Sequence, residues 1–421
     1  MFSFWDGGRC HLTRVLAVAQ AATQRGHEVA FISSATYAPE LRGYGLKVYE
    51  IDNRPPFKQP QHRMPLYNHA YRHAQRLRAL GFHDVPWLLR ITQEEISAID
   101  DFRPWVLVND YRDTIWTAAQ VRSVPVVGIT HSTGNVDGYT LGWWLPPAPG
   151  TALADCRDSF NDVRIHHGLD PVDDEREMFS GDVSVIPSVP EIDPLAAPSD
   201  RSSYVGLLSG WQRGRAPGPA IPQGAQYTIY SYIGAGRRPE YGYREWLKSL
   251  VASNPEFSWR VVDDPAHYEE ETFKAARHSG RLLVERHLPA ATMIATSDLV
   301  VTHGGHGTVT LAIALGKPVL CVGPYQTCCS TTATMVSRAG AGLILNHSDG
   351  PLQAMDAPEL GPQVRRFGYW DTDLDARVLG GSIERLRNSP SFAERASGLA
   401  ARFSELPGPA AVIDIACSTR A

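Results

Sequence analysis

The segment Thr302-His303-Gly304-Gly305-His306-Gly307-Thr308 and its flanks most narrow the folds open to this chain. The apolar run Leu299-Val300-Val301 leads into it, and an apolar helical pattern from Val309 to Leu315 leads out. After Lys317-Pro318 a second apolar run follows, Val319-Leu320-Cys321-Val322. The order is strand, Gly-rich turn, helix, strand, the repeating unit of a parallel sheet. A Gly-rich turn before a helix lets backbone N–H groups approach a phosphate, and the helix N-terminus favours its negative charge. Thr308 adds a hydroxyl donor and His303 an imidazole donor. The segment is therefore suited to a phosphate or diphosphate held without a metal; for the glycines alone, an ordinary tight turn is the alternative. The spacing is neither G-x-G-x-x-G nor G-x-x-x-x-G-K-[ST], which argues against a dinucleotide fingerprint and a P-loop.

The same alternation runs through the first third of the chain. Leu12, Val15, Leu16, Ala19 and Ala22 recur at helical spacing, and Gly26 is a plausible stop. Strands are predicted at Val29–Ile32, Val48–Ile51, Pro104–Asn109 and Val124–Ile129. The Pro-rich stretch 186–224 predicts a linker and a flexible loop. A second series then begins, with strands at Thr228–Ile233, Trp259–Val262 and Leu282–Val284. The first of these ends in Gly234-Ala235-Gly236, whose backbone could approach the same phosphates or simply turn. Two α/β halves of doubly wound parallel sheet result. In such sheets ligands sit at the carboxyl ends of the strands, here facing an interdomain cleft.

Bulk properties exclude other classes. The 421 residues suit two or three domains, and 43% hydrophobic with 20% charged residues suits a soluble globular protein. A net charge of −5 argues against a nucleic-acid partner. No apolar run approaches the roughly 18 residues of a membrane span. Met1 to Asp6 lacks the features of a signal peptide. The six cysteines form no C-x-x-C pair, consistent with a reduced cytoplasm.

With these residues in view, the chain resembles the GT-B glycosyltransferases, specifically the inverting natural-product and UDP-glycosyltransferase-like family. The resemblance rests on Arg286-His287-Leu288-Pro289, on Ser297 to Thr308, and on Gly316-Lys317-Pro318 and Gly340-Ala341-Gly342. In the first half it rests on Gly7-Gly8-Arg9-Cys10-His11-Leu12-Thr13-Arg14 and Arg25-Gly26-His27-Glu28-Val29. It implies a GT-B fold of two Rossmann-like domains. An acceptor-binding domain would span 1–200 and a nucleotide-sugar-binding domain 201–390, with a helix in 391–421 packing back on the first. His11 is implied as general base and Asp110 as the residue that orients it, with Asp113 as a rival. An imidazole suits the base because its pKa lies near working pH.

The donor, a UDP- or dTDP-sugar, would have its diphosphate held by His303, Gly304, Gly305, His306, Gly307, Thr308, Gly234 and Gly236, with no cofactor or metal. Asp371-Thr372-Asp373 lies in a polar stretch with no strand before it, unlike the metal-binding Asp-x-Asp of GT-A enzymes. No two Glu residues show the seven-residue spacing of many retaining GT-B enzymes, which supports inversion.

Three departures stand out. The acidic residue and Gln that relatives use to bind donor hydroxyls fall near Cys328-Cys329, which suggests a deoxysugar donor. Gln326, Ser330 or Thr331 could instead take over those contacts, or donor chemistry could be lost. Only Met1 to Trp5 precede Asp6-Gly7-Gly8, so the first strand is very short or the start lies upstream. Arg14 stands where relatives often carry Pro, though an Arg is tolerated in some branches. On the acceptor side, Tyr67, Tyr71, His131 and Trp143 are candidates, the last within an apolar loop, and a hydrophobic or aromatic small molecule is the expected partner. The basic stretch 62–78 reads first as a solvated helix face, ahead of contact with an anionic or aromatic acceptor. Alternatives are an N-acetylglucosaminyl-type transferase acting on a lipid-linked acceptor, with peripheral membrane contact, a sugar-nucleotide 2-epimerase, or a degenerate non-catalytic partner. A monomer or homodimer is expected.

Overall fold

The structure, a computed structural model, describes residues 1–54, 77–78, 80–138, 140–143, 156–209, 226–233, 243–322, 327–345, 354–356, 364–367 and 376–419. It divides into two compact units. Unit 1 comprises Met1–Trp211, Met355–Arg366 and Glu405–Ala421; unit 2 comprises Gln212–Ala354 and Phe367–Ser404.

Unit 1 is built on a seven-stranded sheet in the order β3-β2-β1-β4-β5-β7-β8. The strands are β1 (Phe2–Phe4), β2 (Ala30–Ser33), β3 (Lys47–Glu50), β4 (Leu107–Asp110), β5 (Val126–Ile129), β7 (Val183–Ile186) and β8 (Ser202–Tyr204), and every neighbour is parallel. Its helices are α1 (Arg9–Gln24), α2 (Ala38–Gly43), α3 (Val85–Phe102), α4 (Ile115–Val121), α5 (Arg157–His166) and α6 (Glu177–Ser180). Both sheet faces are covered, so the central strands are apolar on both sides. Val106 and Val108 join Phe2, Phe4, Leu12 and Val15 in one core, while Leu107 joins Ile32, Leu88 and Trp116 in the other. Unit 1 also holds β6 (Thr140–Trp143), which forms a three-stranded sheet with β15 (Ala354–Asp356) and β16 (Val364–Phe367).

Unit 2 repeats the plan with a six-stranded parallel sheet in the order β11-β10-β9-β12-β13-β14. These are β9 (Tyr227–Tyr232), β10 (Phe257–Val262), β11 (Leu282–Glu285), β12 (Leu299–Thr302), β13 (Val319–Cys321) and β14 (Gly342–Ile344). The helices are α7 (Tyr243–Ser253), α8 (Glu271–His278), α9 (Ala290–Ala295), α10 (His306–Ala314), α11 (Thr327–Arg338), α12 (Ala376–Asn388) and α13 (Pro390–Ser404). Ile229, Trp259, Val301 and Leu320 anchor its core. In each unit the first strand lies beside the fourth of its series, and the strand order reverses there. That switch point is where open α/β sheets bind ligands.

Three expectations need correction. The Pro-rich stretch is not simply linker and loop, because residues 202–204 form β8, the edge strand of the first sheet. Pro187, Pro190, Pro194 and Pro198 fall between β7 and β8, outside both strands, so none removes a donor from the sheet ladder. Trp143 lies at the end of β6 rather than in a loop; its side chain is outside the described residues. The C-terminal segment also divides later than residue 391. Helix α13 packs on α10 in unit 2, and only α14 (Pro409–Ser418) returns to pack on α1. Among the described residues no helix is long and apolar enough to cross a membrane.

Candidate functional site

The switch point of unit 1 brings His11 and Asp110 together. β1 pairs with β4 through Phe4 opposite Asp110, and Trp5 N donates to Asp110 O at 2.8 Å. Side chains alternate along a strand, so Asp110 shares the face of Val106 and Val108, which α1 covers. His11 occupies the first turn of α1, directly above. Its Nδ1 lies 2.6 Å from Asp110 Oδ1. Asp110 is fully buried, and the His11 side chain keeps 15% exposure. Arg14 extends the cluster, with Nε donating to Asp110 Oδ2 at 2.6 Å and Nη2 to Oδ1 at 2.7 Å. Asp113 is also buried, but Asp110 is the carboxylate that meets the imidazole.

The charges are coupled. Burial alone would raise the pKa of Asp110, but Arg14 and then His11 hold it down at about 2. For His11, burial disfavours the imidazolium, yet Cys10 and Asp110 outweigh it and push the ring up to about 9. Desolvation works against the Cys10 thiolate, but the adjacent His11 holds the thiol below its ordinary range.

Tyr111 follows Asp110 with a φ of 62°, which turns the chain sharply out of β4. Its ring meets the His11 ring edge-on at 5.8 Å and stacks on His131 at 4.8 Å. Thr133 Oγ1 and Tyr111 Oη lie 2.7 Å and 3.1 Å from His131 Nδ1. A Cβ on Gly134 would fall 2.1 Å from the Tyr111 hydroxyl, so glycine is needed there. His131 thus stands at the same sheet edge as His11, linked to it through one aromatic ring.

In unit 2 the Gly-rich turn occupies the equivalent switch point. Thr302 at the end of β12 is opposite Tyr232 at the end of β9. Gly304 adopts a φ of 82°, and Gly305 caps α10 without a side-chain hydrogen bond. A Cβ on Gly305 would stand 2.6 Å from His303 Nε2, so the imidazole lies close over the turn. The His303 ring also meets Tyr232 edge-on at 5.7 Å. The amides of Thr308 and Val309 are committed to Gly305 O. Those of His306 and Gly307, ahead of them, are the amides a helix N-terminus turns outward. His306 itself is buried, at 7% exposure.

The other predicted contacts are less informative. Gly234, Gly236, Gln326, Tyr67 and Tyr71 lie outside the described residues, as does Asp371 to Asp373. Cys328 and Cys329 fall in the first turn of α11; Cys329 is buried, and the Cys328 side chain is not described. No group of three or more His, Cys, Asp or Glu side chains able to hold a metal ion occurs among the described residues. Sequence reasoning noted Arg14 only as a departure; its i, i+3 spacing from His11 was the available signal.

No protein-family model matches the chain. It is 23% identical over 358 residues to the PGL/p-HBAD biosynthesis rhamnosyltransferases of Mycobacterium bovis (strain BCG / Pasteur 1173P2) and Mycobacterium tuberculosis (strain ATCC 25177 / H37Ra). The match covers 80% of this chain and 74% of each relative. Among solved structures, the glycotransferase of kitacinnamycin superposes with a TM-score of 0.70 at 16% identity, covering 99% of this chain and 96% of that one. Spinosyn rhamnosyltransferase SpnG in complex with thymidine diphosphate superposes at 0.66 with 18% identity and 98% coverage of both chains. The fold shared with these proteins is GT-B, and the chain resembles glycosyltransferases of natural-product type.

Proposed function

We propose that this GT-B-fold chain is an inverting glycosyltransferase that moves a sugar from a nucleoside diphosphate to a hydroxyl of a small-molecule acceptor. The contact of His11 with Asp110 carries this proposal. With Nδ1–H donated to the carboxylate, Nε2 is the basic nitrogen. It takes the acceptor proton as the hydroxyl oxygen attacks the anomeric carbon, and Asp110 stabilises the imidazolium formed. The electron pair of the breaking C1–O bond goes to the diphosphate. The His306 and Gly307 amides, the dipole of α10 and the His303 imidazole would stabilise that charge. Backside attack in a single displacement inverts the anomeric centre.

The donor we infer is a dTDP- or UDP-activated 6-deoxyhexose. Both kinds of rhamnosyltransferase above point that way, since rhamnose is a 6-deoxyhexose, and SpnG carries thymidine diphosphate. Thiols at Cys328-Cys329, where a hydroxyl-binding pair is expected, agree with a donor that has fewer hydroxyls. A natural-product acceptor is supported by SpnG in complex with spinosyn aglycone.

Calorimetric titration with dTDP, UDP and GDP, with and without magnesium, tests the donor site first. Metal-independent binding of dTDP or UDP is expected, and binding of none of the three would end the proposal. Discharge of dTDP-rhamnose against UDP-glucose then tests the sugar, and a strong preference for UDP-glucose would end the deoxysugar assignment. His11→Ala should lower transfer by about 10²- to 10⁴-fold; full activity would remove His11 as the base.

A further inference from the structure

Arg14 lies one helical turn beyond His11, so both side chains leave α1 on the same face. Its guanidinium grips Asp110 as a two-pronged fork, through Nε to Oδ2 and Nη2 to Oδ1. Oδ1 is therefore shared between Arg14 and His11 Nδ1. Nη2 also stands 3.0 Å from Nδ1. With the proton on Nδ1, as the base assignment requires, both nitrogens donate to the same oxygen and this approach brings two donors together; with Nδ1 unprotonated it is a hydrogen bond from Arg14 to the ring. Arg14 is buried, at 6% exposure, which keeps its charge close to the ring and poorly screened.

We propose that Arg14 is a positioning residue for the base. It locks the Asp110 carboxylate in the orientation that receives Nδ1–H, and its cation restrains the basicity that the carboxylate confers on His11. The proposal rests on His11 being the base. Four groups face the ring. Cys10 and Arg14 come from α1 itself, and Asp110 and Tyr111 come from the end of β4. Cys10 and Asp110 favour the imidazolium, Arg14 opposes it, and Tyr111 presents an aromatic edge. A fixed fork also stops the carboxylate from rotating away from Nδ1, because a bidentate guanidinium fixes both oxygens.

The test combines ring-¹⁵N NMR titration of His11 with the pH profile of kcat/KM in wild type, Arg14→Gln and Arg14→Lys. Arg14→Gln removes the cation but keeps an N–H donor. It should raise the His11 midpoint and the kinetic limb together by about one pH unit. The loss at neutral pH should be about tenfold, with recovery at high pH. Arg14→Lys keeps the charge without the fork, so the midpoint should hold while kcat falls. An unmoved or lowered midpoint in Arg14→Gln, with loss uniform across pH, would overturn the charge role. Wild-type kcat in Arg14→Lys would overturn the locking role, and this arm survives if Arg14→Gln fails to fold. Failure of the base assignment is separable. His11→Gln would then retain transfer, while the Arg14→Gln titration still reports whether Arg14 acts on the ring.

Discussion

His11 has two neighbours that favour its positive charge, Cys10 and Asp110, and one that opposes it, Arg14. Held up to about 9, the imidazole is protonated in the resting protein at neutral pH. A base must be neutral, so kcat/KM should climb with pH toward about 9. Cys10→Ala removes a group that favours the imidazolium, so the midpoint should move to lower pH, opposite to the shift expected for Arg14→Gln. A pH–rate profile of the variant checks the sign; an unchanged midpoint would mean that Cys10 does not tune the base. Asp110→Asn should leave the backbone in place but let the imidazole adopt the wrong tautomer. A fall in kcat of about 10²- to 10⁴-fold is expected, read from saturation kinetics.

At the scale of single elements, the turn between β12 and α10 shows how backbone makes a site. The helical pattern predicts a start at Val309, but α10 begins at His306, because Gly305 caps it by conformation alone. Polar residues at 306–308 hide the first turn from any apolar period. Gly305→Ala would drive a methyl group into His303 Nε2, 2.6 Å away. The imidazole must then leave the turn, and affinity for the nucleoside diphosphate should drop by about tenfold or more, the loss of roughly one hydrogen bond to a charged group. Calorimetry against wild type measures it, with circular dichroism to establish that the helix persists. Unaltered affinity would exclude His303 from the diphosphate site.

For the whole molecule, the chain leaves unit 1, builds unit 2 and returns. Val412, Ile413 and Ala416 of α14 are buried in the same core as Leu12, Val15 and Phe31. Ile413→Ala should therefore destabilise unit 1 by about 2–5 kcal/mol and spare unit 2. Hydrogen exchange resolved by segment distinguishes the two, and equal loss in both units would contradict the division. Stability should also follow the coupled charges. The folded pKa of His11 lies above its unfolded value of about 6.5, so its contribution is full below that pH and fades as pH rises through about 9. Asp110 is depressed, so its contribution is full above about 4 and is lost as pH falls through about 2. Denaturation midpoints measured from pH 2 to 10 should be greatest between those limits, and His11→Gln should flatten the alkaline arm.

The sequence by itself determined the class of the fold, because strand and helix periods are local and parallel strands need helical crossovers between them. It also marked His303 to Thr308, and it marked His11 and Asp110 as a pair through the family resemblance: Asp110 ends an apolar run that reads as a strand, while His11 is placed by the Gly-rich turn before it. Tertiary structure decided the rest. Arg14 gained its meaning from a carboxylate 96 residues away, which no local pattern reports. β8 is three residues long, too short to show a period, and acquires its identity only by pairing with β7. The return of α14 to unit 1 depends on which sheet face lacks a cover, and that is a property of packing between distant segments.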